Sequence, residues 1–228
     1  TINGKAVHFP QRRLRTFEYS LGQTYAGLYD EIVRDIDRLT LAPYNLEKHK
    51  KAGVKVDEFE QGREAGLVGI FKTSFLKRLE SSIEAFRTTL NRALVFERAY
   101  LDFLLNRQVI SSRDFRRMLR LADIEEDDLA GDGIADRLED VEMVKQYLSE
   151  IETVDLNQYN LRHIVRDVEA DIALLTGLYE RTARLLEADA KLQRLKHHLA
   201  TDLKGRKVLV FTCYKDSARY LHRRLTGP

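Results

Sequence analysis

One cysteine, Cys213, stands in the 228 residues, so no internal disulfide can form and the chain suits a reducing cytosol. No apolar run approaches the roughly 18 residues that span a bilayer, and no signal sequence opens the chain. The phosphate-binding loop G-x-x-x-x-G-K-[ST] is missing: Gly4-Lys5-Ala6 and Gly205-Arg206-Lys207 lack the cradle of backbone amides that holds a nucleotide. No Asp-Glu pair follows a strand pattern to hold magnesium. Net charge is also slight, +2 with a pI of about 8.5, too mild to identify a nucleic-acid binder by itself. With 43% hydrophobic residues there is material for one or two cores.

The charges that are present are segregated. From Asp123 to Glu142 ten acidic residues stand with a single basic one, Arg137, whereas from Lys191 to Arg224 ten basic residues stand with two acidic ones, Asp202 and Asp216. The C-terminal end should attract phosphate and the central segment repel it. The plain alternative is two solvated faces.

Glycine and proline are absent from Ile70 to Leu104. Over that stretch Leu67, Phe71, Phe75, Leu79, Ile83, Phe86, Leu90, Leu94, Leu101 and Leu104 recur at steps of mostly four and sometimes three. Unbroken, this helix would be on the order of 55 Å long at 1.5 Å per residue and would project from a small domain. Upstream, Arg13 to Leu21 alternates with period two and predicts an edge strand. Tyr25, Leu28, Tyr29, Ile32, Ile36 and Leu39 share a helical face, and Pro43 ends that helix. Tyr44 to Gly66, with Gly53 and Gly62, reads as a loop.

Downstream, Ser111-Ser112 can cap a short helix through Leu121, and the acidic stretch leads into another around Val141 to Ile151. Asp155 or Asn157 can cap a long helix whose stripe is Leu161, Ile164, Val165, Val168, Ile172, Leu175, Tyr179, Ala183 and Leu186. Antiparallel packing of the two long helices, with the shorter ones across an end, buries all of these faces.

The C-terminal stretch changes character. Lys191-Leu192-x-x-Leu195 opens a helical run to Leu203, Gly205 breaks it, and Val208, Leu209, Val210 and Phe211 predict a short strand. A strand apolar on both faces belongs inside an α/β sheet. A helix begins again near Lys215.

These residues resemble the Swi/Snf-type branch of superfamily-two helicases and DNA translocases. There a lysine-led helix and a motif-four strand, with a pattern close to K-V-L-V-F-[ST]-x-[YF]-x-D-[ST]-x-x-Y-L, open the second motor lobe. Lys191, Leu192, Leu195, Lys207 to Thr212, Tyr214, Asp216, Ser217, Tyr220 and Leu221 stand at those places. Phe9-Pro10-x-Arg12-x-Leu14-x-Thr16-x-Glu18-Tyr19-Ser20-Leu21, followed by Tyr25-x-x-Leu28-Tyr29, resembles the end of the first lobe. Leu76-Lys77-Arg78-Leu79-Glu80-Ser81-Ser82-x-x-Ala85-Phe86 resembles a run between the lobes of bacterial members.

The resemblance implies a mainly α fold, with long antiparallel helices forming a protrusion and one or a few short strands at the two ends, the last starting an α/β motor lobe. Residues 1–43 would close lobe one, 44–190 would be the helical insertion, and 191–228 would open lobe two. The chain would be an internal segment without an ATP site and inactive alone, with ATP and magnesium held elsewhere in a cytoplasmic parent ATPase. Its partners would be DNA and the remainder of its own polypeptide, not a membrane, with self-association of the fragment through its strand edge. Lys77, Arg78, Lys207, Thr212, Tyr214 and Lys215 would line the DNA path. Cys213 departs from the family, where many relatives carry glutamine.

Each site also has a plainer reading. Arg78 can pair with a neighbouring glutamate or with another helix, while Ser81 and Ser82 let two helices approach closely. The acidic run from Glu125 to Asp136 lacks the D-x-D-x-D-G spacing of a calcium loop and reads as a solvated loop. His197 and His198 are adjacent and point to different faces of a helix, and Cys213 reads as strand packing. For the whole chain, the rival from another class is a freestanding helical protein–protein interaction module.

Overall fold

The computed structural model describes residues 18–107 and 155–226, and these are mainly helical. α1 (Leu21–Tyr25) and α2 (Leu28–Arg38) lead into two 3₁₀ turns, Ala42–Tyr44 and Leu46–His49. The long helices follow: α3 (Glu58–Ser81), α4 (Ile83–Leu105) and α5 (Leu161–Ala183). α6 (Ala190–Ala200) and α7 (Lys215–Thr226) close the chain. Among the described residues no helix is long and apolar enough to cross a membrane. The expected short helix to Leu121, the acidic stretch and the helix around Val141 to Ile151 lie outside the described residues.

The single long helix expected through Leu104 is two helices. Ser82 has extended backbone, φ −161° and ψ 152°, and its hydroxyl accepts a hydrogen bond from the N–H of Ala85, 3.1 Å away, capping α4. A serine pair inside a helical pattern offers the backbone this alternative to the helical ladder. The result is an elbow with one non-helical residue.

α3 also starts earlier than the apolar pattern, inside the stretch expected to be loop. The Asp57 carboxylate accepts from the N–H groups of Phe59 and Glu60 and caps the helix. Gly62, Gly66 and Gly69 weaken the helical signal without breaking the helix. The first predicted helix is likewise divided: Ala26 and Gly27 take left-handed backbone, φ 46° and 88°, and re-aim the chain between α1 and α2. Its apolar face is the one predicted, with Leu28, Ile32, Ile36 and Leu39 all buried. α2 ends at Arg38, before Pro43, which lies in the first 3₁₀ turn.

Neither predicted strand is found among the described residues. Of the Arg13–Leu21 stretch, residues 18–20 have no regular structure and Leu21 begins α1; the remainder lies outside the described residues. Val208 to Phe211 has no ladder partner and is not buried: Leu209 is 84% and Phe211 88% exposed. A strand is stabilised by its neighbours, and among the described residues none pairs with these. Cys213, expected to be packed in that strand, is exposed for the same reason. A lone bridge between Lys50 and Tyr159 is the only β-type pairing among the described residues.

The core lies between α4 and α5, with α2 and α3 alongside. Phe86, Leu90, Ile164, Val168, Leu175 and Leu178 are fully enclosed, each worth about 1.5–3 kcal/mol relative to exposure. Of the predicted α5 stripe Ile164, Val168 and Leu175 are buried, whereas Ala183 is exposed and Leu178, outside that list, is buried; the helix starts at Leu161 under an Asn160 cap, and Asp155 caps a short 3₁₀ turn instead. Arg87 of α4 donates to the Tyr179 carbonyl and to the Thr182 hydroxyl of α5, and its guanidinium lies 4.0 Å from the Tyr179 ring centroid. The buried Asp171 carboxylate accepts from the N–H groups of Thr40 and Leu41 at 2.8 and 2.6 Å, which fixes the turn where Leu41 is left-handed.

Candidate functional site at the α3–α4 elbow

Three stretches far apart in sequence, residues 18–29, 76–86 and 189–221, meet at this elbow. From the first stretch, the Tyr25 hydroxyl donates to the Leu79 carbonyl at 2.9 Å. From the last, the Lys191 ammonium donates to the carbonyls of Glu80 and Ser81, both at 2.9 Å. These are carbonyls that the end of a helix leaves without intrahelical partners, and a cation there also complements the helix dipole. The chain break at Ser82 is therefore stabilised from two sides.

Arg78, the last basic residue of α3, is 1% exposed. Its guanidinium donates to Asp216 at 2.8 Å, and Arg92 of α4 donates to the same carboxylate oxygen at 3.1 Å. Asp216 lies in the first turn of α7, where the dipole favours a negative charge. A carboxylate shared by two arginines from two helices ties α7 to both arms of the elbow. Beside it, the Ser217 hydroxyl is hydrogen-bonded to those of Ser81 and Ser82, at 2.9 Å each. The ring of Tyr214 lies 4.6 Å from the guanidinium carbon of Arg78.

The start of α6 completes the junction. Asp189 caps α6 by accepting from the N–H of Leu192, and its other oxygen accepts from the Tyr220 hydroxyl of α7 at 2.9 Å. The N–H of Ala190 donates to the Thr24 hydroxyl of α1. Burial and the neighbouring Asp189 push the Tyr220 phenol far above its ordinary range, so it is a hydrogen-bond donor at any working pH. A cavity of about 310 Å³ opens here, lined by Tyr19, Ser81, Ser82, Lys191, Phe211 and Tyr220 among others.

Of the six residues predicted to line a DNA path, Arg78 and Tyr214 come together, but in the interior. Arg78 is turned inward and neutralised by Asp216, the plainer reading of that residue, so it is not presented to a phosphate. Tyr214 is half-buried against it. Lys77, Lys207, Thr212 and Lys215 are exposed, Lys77 on α3 and Lys215 at the start of α7. The residues missed by sequence reasoning are Arg92, Asp189 and Ser217, whose partners lie 124, 31 and about 135 positions away. Only the Ser81-Ser82 pair carried a local signal.

The described residues hold no group of three or more His, Cys, Asp or Glu side chains suited to a metal ion. His198 Nδ1 lies 2.8 Å from Asp202 Oδ2, one turn along, and engages its imidazole in that contact. The chemistry available at the elbow is mechanical: a largely buried polar lock that fixes the C-terminal helix against the bend. No protein-family model, curated protein or solved structure matches this chain.

Proposed function

We propose that this chain is the inter-lobe segment of a Swi/Snf-type ATP-dependent DNA helicase or translocase, coupling two motor lobes and lining part of the DNA path. The observation that supports it is the meeting of the three family-like stretches at one buried elbow, through Tyr25, Arg78, Ser81, Ser82, Lys191, Asp216 and Ser217. In this reading residues 1–43 end the first lobe, 44–190 form the protrusion with its long helices antiparallel, and 191–228 begin the second lobe. Val208 to Phe211 is the first strand of that lobe, and its exposed apolar side chains are covered by strands supplied by the rest of the polypeptide.

The segment carries no ATP site of its own. Its sequence has no phosphate loop, so ATP and magnesium belong to the remainder of the parent, and the isolated chain does not hydrolyse ATP. Lobe closure driven there reaches this segment as a displacement of α7 against α3. The Arg78–Asp216 lock transmits it, and the connection over 201–214, with left-handed Gly205, is the hinge.

The coding sequence on both sides tests this reading. A phosphate loop and an acidic magnesium motif upstream, with a Q-x-x-G-R-x-x-R-like arginine motif downstream, are the expected result. Start and stop codons immediately flanking Thr1 and Pro228 contradict it and leave the freestanding helical interaction module.

A further inference from the structure

The cavity beside the lock has apolar walls, among them Leu192, Leu195 and Leu221, and three hydroxyls, those of Ser81, Ser82 and Ser217. Leu192, Ser82 and Ser217 are buried, so this part of the lining is interior. Small-molecule sites run from about 300 to about 1,000 Å³, with mostly apolar walls and a few polar groups. At about 310 Å³ the cavity lies at the small end of that range.

Its polar groups have donors to spare. Ser217 is hydrogen-bonded to Ser81 and to Ser82, so three hydroxyl protons serve two hydrogen bonds, and Ser82 also accepts from the N–H of Ala85. One hydroxyl proton is left over among the described residues. The Lys191 ammonium spends two of its three N–H groups on the carbonyls of Glu80 and Ser81. Arg194, one turn along the same helix face, is exposed and has no hydrogen-bond or ion-pair partner among the described residues. Acceptors are scarce by comparison. Asp189 is the one carboxylate among the described lining residues, and its two oxygens accept from the N–H of Leu192 and the hydroxyl of Tyr220. His198 Nδ1 faces Asp202, which is not part of the lining. The unspent capacity therefore calls for a ligand rich in acceptor oxygens and negatively charged. A hydroxyl, an ammonium and a guanidinium fork together suit the three terminal oxygens of a phosphate better than the two of a carboxylate.

We propose, independently of the translocase reading, that this cavity binds a small phosphate monoester with an apolar body. The phosphate sits on Lys191, Arg194 and the serine hydroxyls, and the body packs against Leu192, Leu195 and Leu221. Such a ligand touches the elbow through Ser81 and Ser82, α6 through Lys191 and Arg194, and α7 through Ser217. It fastens the lock when bound, because binding to the folded state alone stabilises it.

The test titrates the intact chain with phenyl phosphate, and in parallel with inorganic phosphate, phenol and benzoate, following backbone amide shifts by NMR at about 150 mM salt. Phenyl phosphate is expected to shift Ser82, Leu192 and Ser217, to raise the unfolding midpoint, and to bind about tenfold more tightly than each of the other three. Arg194→Gln is expected to weaken it about tenfold while leaving the ligand-free unfolding midpoint unchanged. Ser81→Ala is expected to weaken it severalfold. Shifts confined to the exposed Leu209 and Phe211, or wild-type affinity in Arg194→Gln, overturn the site. Phenol or benzoate binding as tightly as phenyl phosphate overturns the phosphate, and inorganic phosphate doing so overturns the apolar body. No saturation at concentrations on the order of 10 mM overturns the proposal as a whole.

Discussion

Arg78 and Asp216, 138 positions apart, form a buried ion pair at 2.8 Å, with side chains 1% and 6% exposed. Taking two charges out of water is costly, and the pair persists because Arg92 donates to the same carboxylate oxygen and the Tyr214 ring lies over the Arg78 guanidinium. Removing the carboxylate leaves two arginines facing each other without their shared acceptor. Asp216→Ala is expected to lower stability by about 3–5 kcal/mol, measured by urea unfolding. A decrease below about 1 kcal/mol, the range of exposed pairs, contradicts the lock.

Ser82 and Ser217 share a hydrogen bond while Ser82 also caps α4. Ser82→Ala is expected to cost about 1 kcal/mol. Combined with Ser217→Ala the two effects are expected to be non-additive by more than about 0.5 kcal/mol, because each removes the same hydrogen bond. Strict additivity in a double-mutant cycle means that the hydroxyls are not coupled.

Lys191 fills carbonyls at the end of α3 that no backbone group reaches. Lys191→Met keeps the stem and removes the donor, and is expected to cost about 1 kcal/mol, with amide exchange accelerating at Ser81 and Ser82. Unchanged exchange there places the end of α3 under other control.

The core of the bundle holds a different electrostatic feature. Glu97 is 1% exposed, neither carboxylate oxygen has a hydrogen-bond partner, and burial first, then Asp171, pushes its carboxyl well above the ordinary range. The folded state holds a proton that the unfolded chain releases near pH 4.5. Stability from this site is therefore full below that pH and is lost as pH rises toward the folded pKa. Glu97→Gln is expected to flatten the decline, so the variant gains on wild type at alkaline pH. Parallel pH profiles of the two proteins contradict a protonated Glu97.

The apolar stripes of α2, α4 and α5 are legible in the sequence because helical periodicity is a local property, and Ile32, Leu90 and Val168 are buried as their spacing requires. The bend at Ser82 is not, since a serine pair among Leu79, Ile83 and Phe86 leaves the apolar rhythm intact while changing the backbone. Val208 to Phe211 shows the opposite failure. Its composition is that of a buried strand, but burial depends on neighbours that these four residues do not encode. At the site, Arg78 stands out by its charge, yet whether an arginine meets phosphate or carboxylate depends on what lies across from it. Asp216 is far away in sequence.

The most direct test of the central claim is the affinity of the intact chain for duplex DNA measured across salt. Phosphate contacts release counterions, so the account predicts binding that weakens steeply between about 50 and about 200 mM salt. No binding, or an affinity unchanged across that range, contradicts the translocase reading and leaves a helical module that docks on protein.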